Sequence, residues 1–243
     1  MDLVGALEAA RGTTCVVGAG GKKSTLFALA ERVDRAVVTA TVRIPIFDRR
    51  VASVTVTDDP ISAVRTADEW PVGVVAERNE DRYEGYDPAV VDELAQAAVA
   101  EAVLVKADGA RTRWLKAPGE HEPRLPRRAD VVVPVASVKV VGEPLDAEHV
   151  HRPERVAAIT DLDLGNRIGP ADVAAVLASE NGGRHDVPPD ATVVPLLNMV
   201  DDPDLEATAR TIADELHRRV ALPRVVLTRL IDDDPVVGVV EPP

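Results

Sequence analysis

The feature that most limits what this chain can fold into is a regular alternation of short, almost wholly apolar, β-branched runs with longer segments of helical spacing. Strand-like runs fall at Thr13 to Val17, Ala36 to Val42, Ala52 to Val56, Val72 to Ala76, Ala102 to Asp108, Asp130 to Val135, Thr192 to Asn198 and Arg224 to Leu230. Helical patterns fall at Lys23 to Val33, Pro88 to Ala102, Pro153 to Ile159, Pro170 to Ser179 and Asp204 to Val220. A strand that is apolar along its whole length must be covered on both faces, and strands separated by helices run parallel. The expectation is an α/β fold, a three-layer sandwich with a mainly parallel sheet. Apolar residues make up 46% and aromatics 2%, so the core is built from Val, Ala, Leu and Ile, and global disorder is excluded.

No repeat, low-complexity tract or compositional break divides the 243 residues, so residues 1–243 are read as a single domain. The polar stretch Asn79 to Asp87 is expected to be exposed. A single cysteine, Cys15, excludes an internal disulfide framework, a cysteine-based zinc site and an iron–sulfur cluster, and in its apolar strand it reads as core packing. No apolar run approaches the roughly 18 to 20 residues of a membrane span, and the N-terminal residues lack a leader pattern, so a cytoplasmic protein without a membrane partner is expected. Twenty-eight Lys and Arg against 41 Asp and Glu leave a net charge of −13, which would repel a nucleic-acid backbone. The carboxylates are scattered, a pattern that suits a solvated surface in a salt-rich cytoplasm.

Local motifs carry the chemistry. After the first strand, Gly18, Ala19, Gly20 and Gly21 lead into Lys22, Lys23, Ser24 and Thr25 at a helix start. Backbone amides freed by glycine, the positive end of a helix and a lysine together cradle phosphate, and a hydroxyl can hold Mg²⁺. The match to a phosphate loop is partial. If Lys22 is the phosphate lysine, Gly21 precedes it correctly but Lys23 stands where the hydroxyl belongs, with Ser24 one place late. If Lys23 takes that role, Ser24 is in place but Lys22 replaces a glycine. The first register is favoured. A dinucleotide fingerprint fits less well, because Lys23 occupies its third glycine and the second strand ends without a carboxylate. A bland turn is disfavoured by two lysines at the positive end of a helix, which repel it unless an anion is present.

The fifth strand ends in Asp108 and Gly109, inside the segment VLVKADGARTRWLKAPGEHEPRLP. An aspartate at the carboxyl end of a strand beside the phosphate loop can ligate Mg²⁺ or orient a water. Together with VVGAGGKKST, this segment resembles the YqeC family, accessory proteins of selenium-dependent molybdenum hydroxylases. The family pattern runs VGAGGKTT, a threonine-rich second strand, EADGA, LKAP, EHEP, VHRPE and a late LNxxD. This chain has VVGAGGKKST, VTATVRIP, KADGARTRWLKAPGEHEP, HVHRPERVA and LLNMVDD in that order, from Cys15 to about Asp201.

The resemblance implies a P-loop NTPase-like fold, with Mg²⁺ and a nucleoside triphosphate, ATP or GTP, as cofactors and a molybdenum hydroxylase or its cofactor as partner. It assigns Gly18, Gly20, Gly21, Lys22 and Ser24 to phosphate, Lys22 and Asp108 to catalysis, Ser24 and Asp108 to metal, and Asn198 and Asp201 to the base. Arg111, Lys116, His121 and Glu122 would line the same side, and Arg113 and Trp114 are candidates to hold phosphate and stack on a ring. Three positions depart from the pattern: Lys23 replaces the loop hydroxyl, Lys106 the glutamate before ADGA, and Met199 a lysine after Asn198. Losing carboxylate and hydroxyl together weakens Mg²⁺ binding. A Mg²⁺-dependent NTPase or transferase is therefore set beside a carrier that binds without turnover, and beside an interaction scaffold. His149 and His151 share one strand face but lack a third ligand, so a brace for the following helix is the preferred reading.

Overall fold

The computed structural model describes residues 1–243. Its centre is β1 (Gly12–Gly18), buried from Thr13 to Val17. The other main strands are β2 (Ala36–Ala40), β3 (Ser53–Val56), β4 (Val72–Val75), β5 (Ala102–Lys106), β6 (Val131–Ser137), β7 (Leu196–Asn198), β8 (Val225–Thr228) and β9 (Val236–Val240). They hydrogen-bond in the order β9-β8-β7-β6-β1-β5-β2-β4-β3, and a short strand at Thr192–Val193 pairs beside them with β6, making a ten-stranded sheet. Every pairing is parallel except β8 with β9. The expected α/β sandwich with a mainly parallel sheet is what the chain forms.

Period-two alternation sends neighbouring residues of each strand to opposite faces. One face, with Val16, Val38, Leu104 and Val133, packs against α1 (Leu3–Ala6) and α2 (Lys22–Ala30), whose Leu26, Phe27 and Leu29 are buried there. On the other face, Cys15, Val37, Val103 and Val105 meet α3 (Pro60–Arg65) and α4 (Pro88–Gln96) through Val64, Val91 and Leu94. Beyond them on that face, Ala136, Leu197 and Leu227 lie under α5 (Pro153–Thr160), α6 (Pro170–Ala178) and α7 (Pro203–Arg219). Prolines open α3 to α7, where the missing N–H costs nothing.

The structure amends several local expectations. The polar stretch after Ala76 is a hairpin, Glu77–Asn79 against Arg82–Glu84, which also pairs with Ile44–Pro45. Its Tyr83 is buried edge-on against Phe47, with its hydroxyl 2.6 Å from Asp48, and Tyr86 is buried too. The aromatic tips are inside while the intervening charges are outside. The run from Thr192 to Asn198 is split around Pro195, which has no N–H to continue a ladder. α1, α3 and β9 have no counterpart among the expected elements.

Topology places the site. Strands β2 to β5 lie on one side of β1 and β6 to β9 on the other, so the order reverses beside β1. In open parallel sheets the crevice for a ligand lies outside the carboxyl ends of the strands at such a reversal. The glycine loop, Asp108, Arg43, Ser137 and Met199 all follow the carboxyl ends of central strands.

Candidate functional site

The glycine loop is shaped by its neighbours. Gly20 has φ +84°, and a Cβ there would lie 2.4 Å from the Ser137 amide nitrogen. Gly21 has φ +148°, with the Asn198 side-chain nitrogen 2.3 Å from where a Cβ would stand. Only glycine fits two such positions in succession. Asn198 Nδ2 donates to the Gly20 carbonyl at 2.8 Å, and its Oδ1 accepts from Thr228 Oγ1 at 3.2 Å and the Leu230 amide at 3.4 Å. The buried amide of Asn198 is thus used in holding the loop. Asp201 pairs with Lys139 at 2.5 Å. The two residues assigned to a base are engaged with the protein.

Lys22 begins α2 and its side chain folds back into the protein, 6% exposed. The ammonium donates to the Gly18 carbonyl and stands 2.9 Å from Asp108 Oδ1, a contact made by charge rather than by an aligned hydrogen bond. Asp108 Oδ2 accepts from the Gly18 amide at 2.9 Å and lies 2.9 Å from Lys116. Lys116 also donates to the Gly109 carbonyl and to Glu122 Oε2 at 2.8 Å, and Arg152 donates to the same Oε2 at 2.9 Å. Glu122 Oε1 accepts from the Gly109 amide at 3.2 Å. The ADGA, LKAP, EHEP and HRPE segments therefore meet in one buried ion network. Arg152 reaches it from the left-handed N-cap of α5, at φ 63°.

Burial shifts four groups in and beside this network. It lowers the Lys22 ammonium, which Asp108 only partly restores. It opposes ionisation of Glu122, but the hydrogen bonds and charges of Lys116 and Arg152 outweigh it and leave that carboxyl at about 2. His151 falls to about 4, first through burial and then through repulsion by Arg152 and Lys116. Lys106 donates to the carbonyls of Arg43 at 2.8 Å and Asp108 at 2.7 Å and has no carboxylate partner; burial, followed by repulsion from Lys22, brings it down to about 7. Burial raises the Cys15 thiol far above neutrality, as suits a packing residue.

Beside the network opens a cleft of about 610 Å³. The end of α2 that faces it carries no side-chain cap, and Gly20, Gly21, Lys22, Lys23 and Ser24 all line it. Eight cationic residues line this one cleft: Lys22, Lys23, Arg43, Arg82, Lys106, Arg111, Arg113 and Arg152. The single carboxylate in its wall is Glu122. Trp114 is half-buried there, its ring centroid 5.4 Å from that of His149, with Val42, Pro45 and Met199 as further apolar lining. Four of the eight cations, Lys23, Lys106, Arg111 and Arg113, have no carboxylate within ion-pair distance. Arg113 donates to the Ala147 carbonyl at 2.7 Å.

The structure so brings the loop residues together with Arg111, Arg113, Trp114 and Glu122, and holds Lys116 and Asp108 just behind them. His121 is exposed and outside the cleft, and Thr25 is buried with its hydroxyl on the Gly21 carbonyl at 3.2 Å. Arg43, Arg82, His151 and Arg152 were not among the expected site residues. Of these, His151 and Arg152 carried a sequence signal, since both lie in the HVHRPERVA segment and the residue before Pro153 is kept out of the helix and turned elsewhere. His149 is tied to Asp146 at 2.9 Å, and no three His, Cys, Asp or Glu side chains are grouped to hold a metal.

The expected Mg²⁺ does not fit this arrangement. Asp108 is 2% exposed, each of its oxygens already faces an ammonium, Lys106 lies two residues before it, and Lys23 stands beside the Ser24 hydroxyl. A divalent cation would join a cluster in which lysines outnumber carboxylates.

A sequence profile of the YqeC protein family matches residues 14–154, the span that contributes the glycine loop, Asp108 and the eight cationic residues that line the cleft. The chain belongs to the YqeC family. It is 31% identical over 180 residues to the protein named "Uncharacterized protein YqeC" of Escherichia coli (strain K12), an alignment that covers 71% of this chain and 70% of that one.

Proposed function

We propose that this YqeC-family chain binds a phosphate-bearing ligand with a planar heterocycle, a nucleotide such as ATP or GTP or a cofactor of that design, and serves as a binding accessory in the maturation of molybdenum hydroxylases. The observation that carries the reading is the convergence of eight cationic residues, four of them without a carboxylate partner, on one cleft of a chain whose net charge is −13. Such a concentration of positive charge on an acidic protein selects an anion. The uncapped amide end of α2 supplies a seat for phosphate. Trp114 supplies a face on which a ring can stack, flanked by two guanidiniums that can grip oxygens in pairs. Of the readings weighed from the sequence, the carrier without turnover is favoured over the Mg²⁺-dependent NTPase, because Asp108 is committed to Lys22 and Lys116.

Trp70 and Trp114 are the only tryptophans, so a Trp70→Phe variant makes Trp114 the sole indole reporter. Titrating it with ATP, GTP and tripolyphosphate should give a saturable fluorescence change, weakened about tenfold or more by Lys23→Ala or Arg111→Ala, both exposed side chains. A flat titration with all three compounds would overturn the reading. For the cellular role, loss of the gene should lower molybdenum-hydroxylase activity, with recovery by the intact protein and not by a Lys23→Ala/Arg111→Ala double variant.

A further inference from the structure

We propose that the cleft takes its polyphosphate as the metal-free anion, with Lys23, Lys106, Arg111 and Arg113 supplying the neutralising charge that a divalent cation supplies elsewhere. The inference rests on the phosphate reading above and goes beyond it in naming the ionic form that is bound. Two independent features of the site carry it.

The first is the state of Asp108, the carboxylate placed where a cation would be held. One oxygen faces Lys22 at 2.9 Å and the other faces Lys116 at 2.9 Å while accepting the Gly18 amide at 2.9 Å. To ligate a metal the carboxylate would have to release a buried ammonium, and a divalent ion would then sit among Lys22, Lys106 and Lys116. The second is the surplus of cations at the cleft itself. Lys23, Lys106, Arg111 and Arg113 have no carboxylate partner, and Lys106 is 6% exposed with only carbonyl oxygens as acceptors. A buried ammonium without a counterion is costly, and an arriving anion removes that cost. Lys23, Arg111 and Arg113 bring three unpaired positive charges, and Lys106 a fourth when a bound anion holds its proton in place, which together match the charge of a fully ionised nucleoside triphosphate. The same ligand wrapped around Mg²⁺ carries two charges fewer and offers fewer free oxygens to the guanidiniums.

The experiment is a calorimetric titration of the full chain with tripolyphosphate and with ATP, once in EDTA and once in millimolar Mg²⁺. The expected result is binding in EDTA that is as tight as, or several-fold tighter than, binding with Mg²⁺. Lys23→Ala should weaken the EDTA titration about tenfold and the Mg²⁺ titration less. Lys106→Met should do the same, with melting curves confirming that it folds. Binding that appears only with Mg²⁺, or that tightens tenfold or more when Mg²⁺ is added, would overturn this inference and leave the phosphate reading intact. Absence of binding under both conditions would instead remove the phosphate reading and this inference with it.

Discussion

At the scale of single residues, Lys106 shows how placement changes chemistry. On the surface a lysine would stay largely charged to about pH 10. Here burial and the nearby Lys22 and Lys116 outweigh Asp108 and Glu122 and bring it to about 7. Between pH 7 and the ordinary value of 10.5 the unfolded chain binds the proton and the folded chain does not, so stability contributed through this group rises with pH across that window. The slope for one proton is about 1.4 kcal/mol per pH unit. Melting curves from pH 7 to 10 should show this rise in the native protein and a flatter profile in Lys106→Met. Equal slopes in the two proteins would refute it. Glu122 gives the same sign in a more acidic window. Its folded carboxyl lies near 2, below the usual 4.5, so the stability it adds is present above pH 4.5 and is lost as pH falls toward 2. Glu122→Gln should remove that acid-sensitive component, leaving Arg152 without a counter-charge and Lys116 with Asp108 alone, and lowering stability at neutral pH. It is read from urea midpoints at pH 7 and pH 3, whose gap should shrink in the variant.

At the scale of elements, the loop after β1 is held by a side chain 178 residues away in sequence. Asn198 donates to the Gly20 carbonyl and accepts from Thr228 and Leu230, so both ends of its amide are used. Asn198→Ala should lower stability by about 1–3 kcal/mol. Asn198→Asp should cost more, because it turns an oxygen toward the Gly20 carbonyl and brings a buried charge. At about 2–4 °C per kcal/mol for a chain of this size, the order of melting temperatures is native, then alanine, then aspartate. A native-like Asn198→Asp would sink this account of the loop. Legibility was uneven at this scale. The strand-loop-helix unit around Gly18 to Thr25 was plain from its glycines and helical spacing. The engagement of Asn198 was not, since an Asn near an Asp reads equally well as a base-binding pair until the distant partner is seen. The hairpin holding Tyr83 was hidden as well, because its charges outnumber the ring that decides where it packs.

At the scale of the whole molecule, charge is divided unevenly. The net value is −13, yet the cleft at the carboxyl edge of the sheet is cationic. Salt therefore acts on the two regions with opposite consequences. Raising KCl from about 0.1 to 2 M should raise the melting temperature by screening the repulsion of the acidic surface, and over the same range should weaken anion binding in the cleft. Thermal melts and tripolyphosphate titrations in parallel KCl series test the pair of trends, and a melting temperature that falls with salt would contradict the first.

Strand apolarity and helix spacing dictated the layered architecture without any knowledge of neighbours. A run of Val, Ile and Ala has to be covered on both sides, and that requirement is local. Glycines at 18, 20 and 21 likewise announced a turn that no other residue fits. The fate of the charged groups was a different matter. Asp108 reads as a metal ligand in the sequence and is a counterion for Lys22 and Lys116 in the fold. Lys106 reads as a substitution and becomes a buried cation at the cleft. A charge takes its chemistry from the charges and the solvent within a few ångströms of it, and those are brought together only when segments as far apart as Gly18, Asp108 and Arg152 meet at one edge of the sheet.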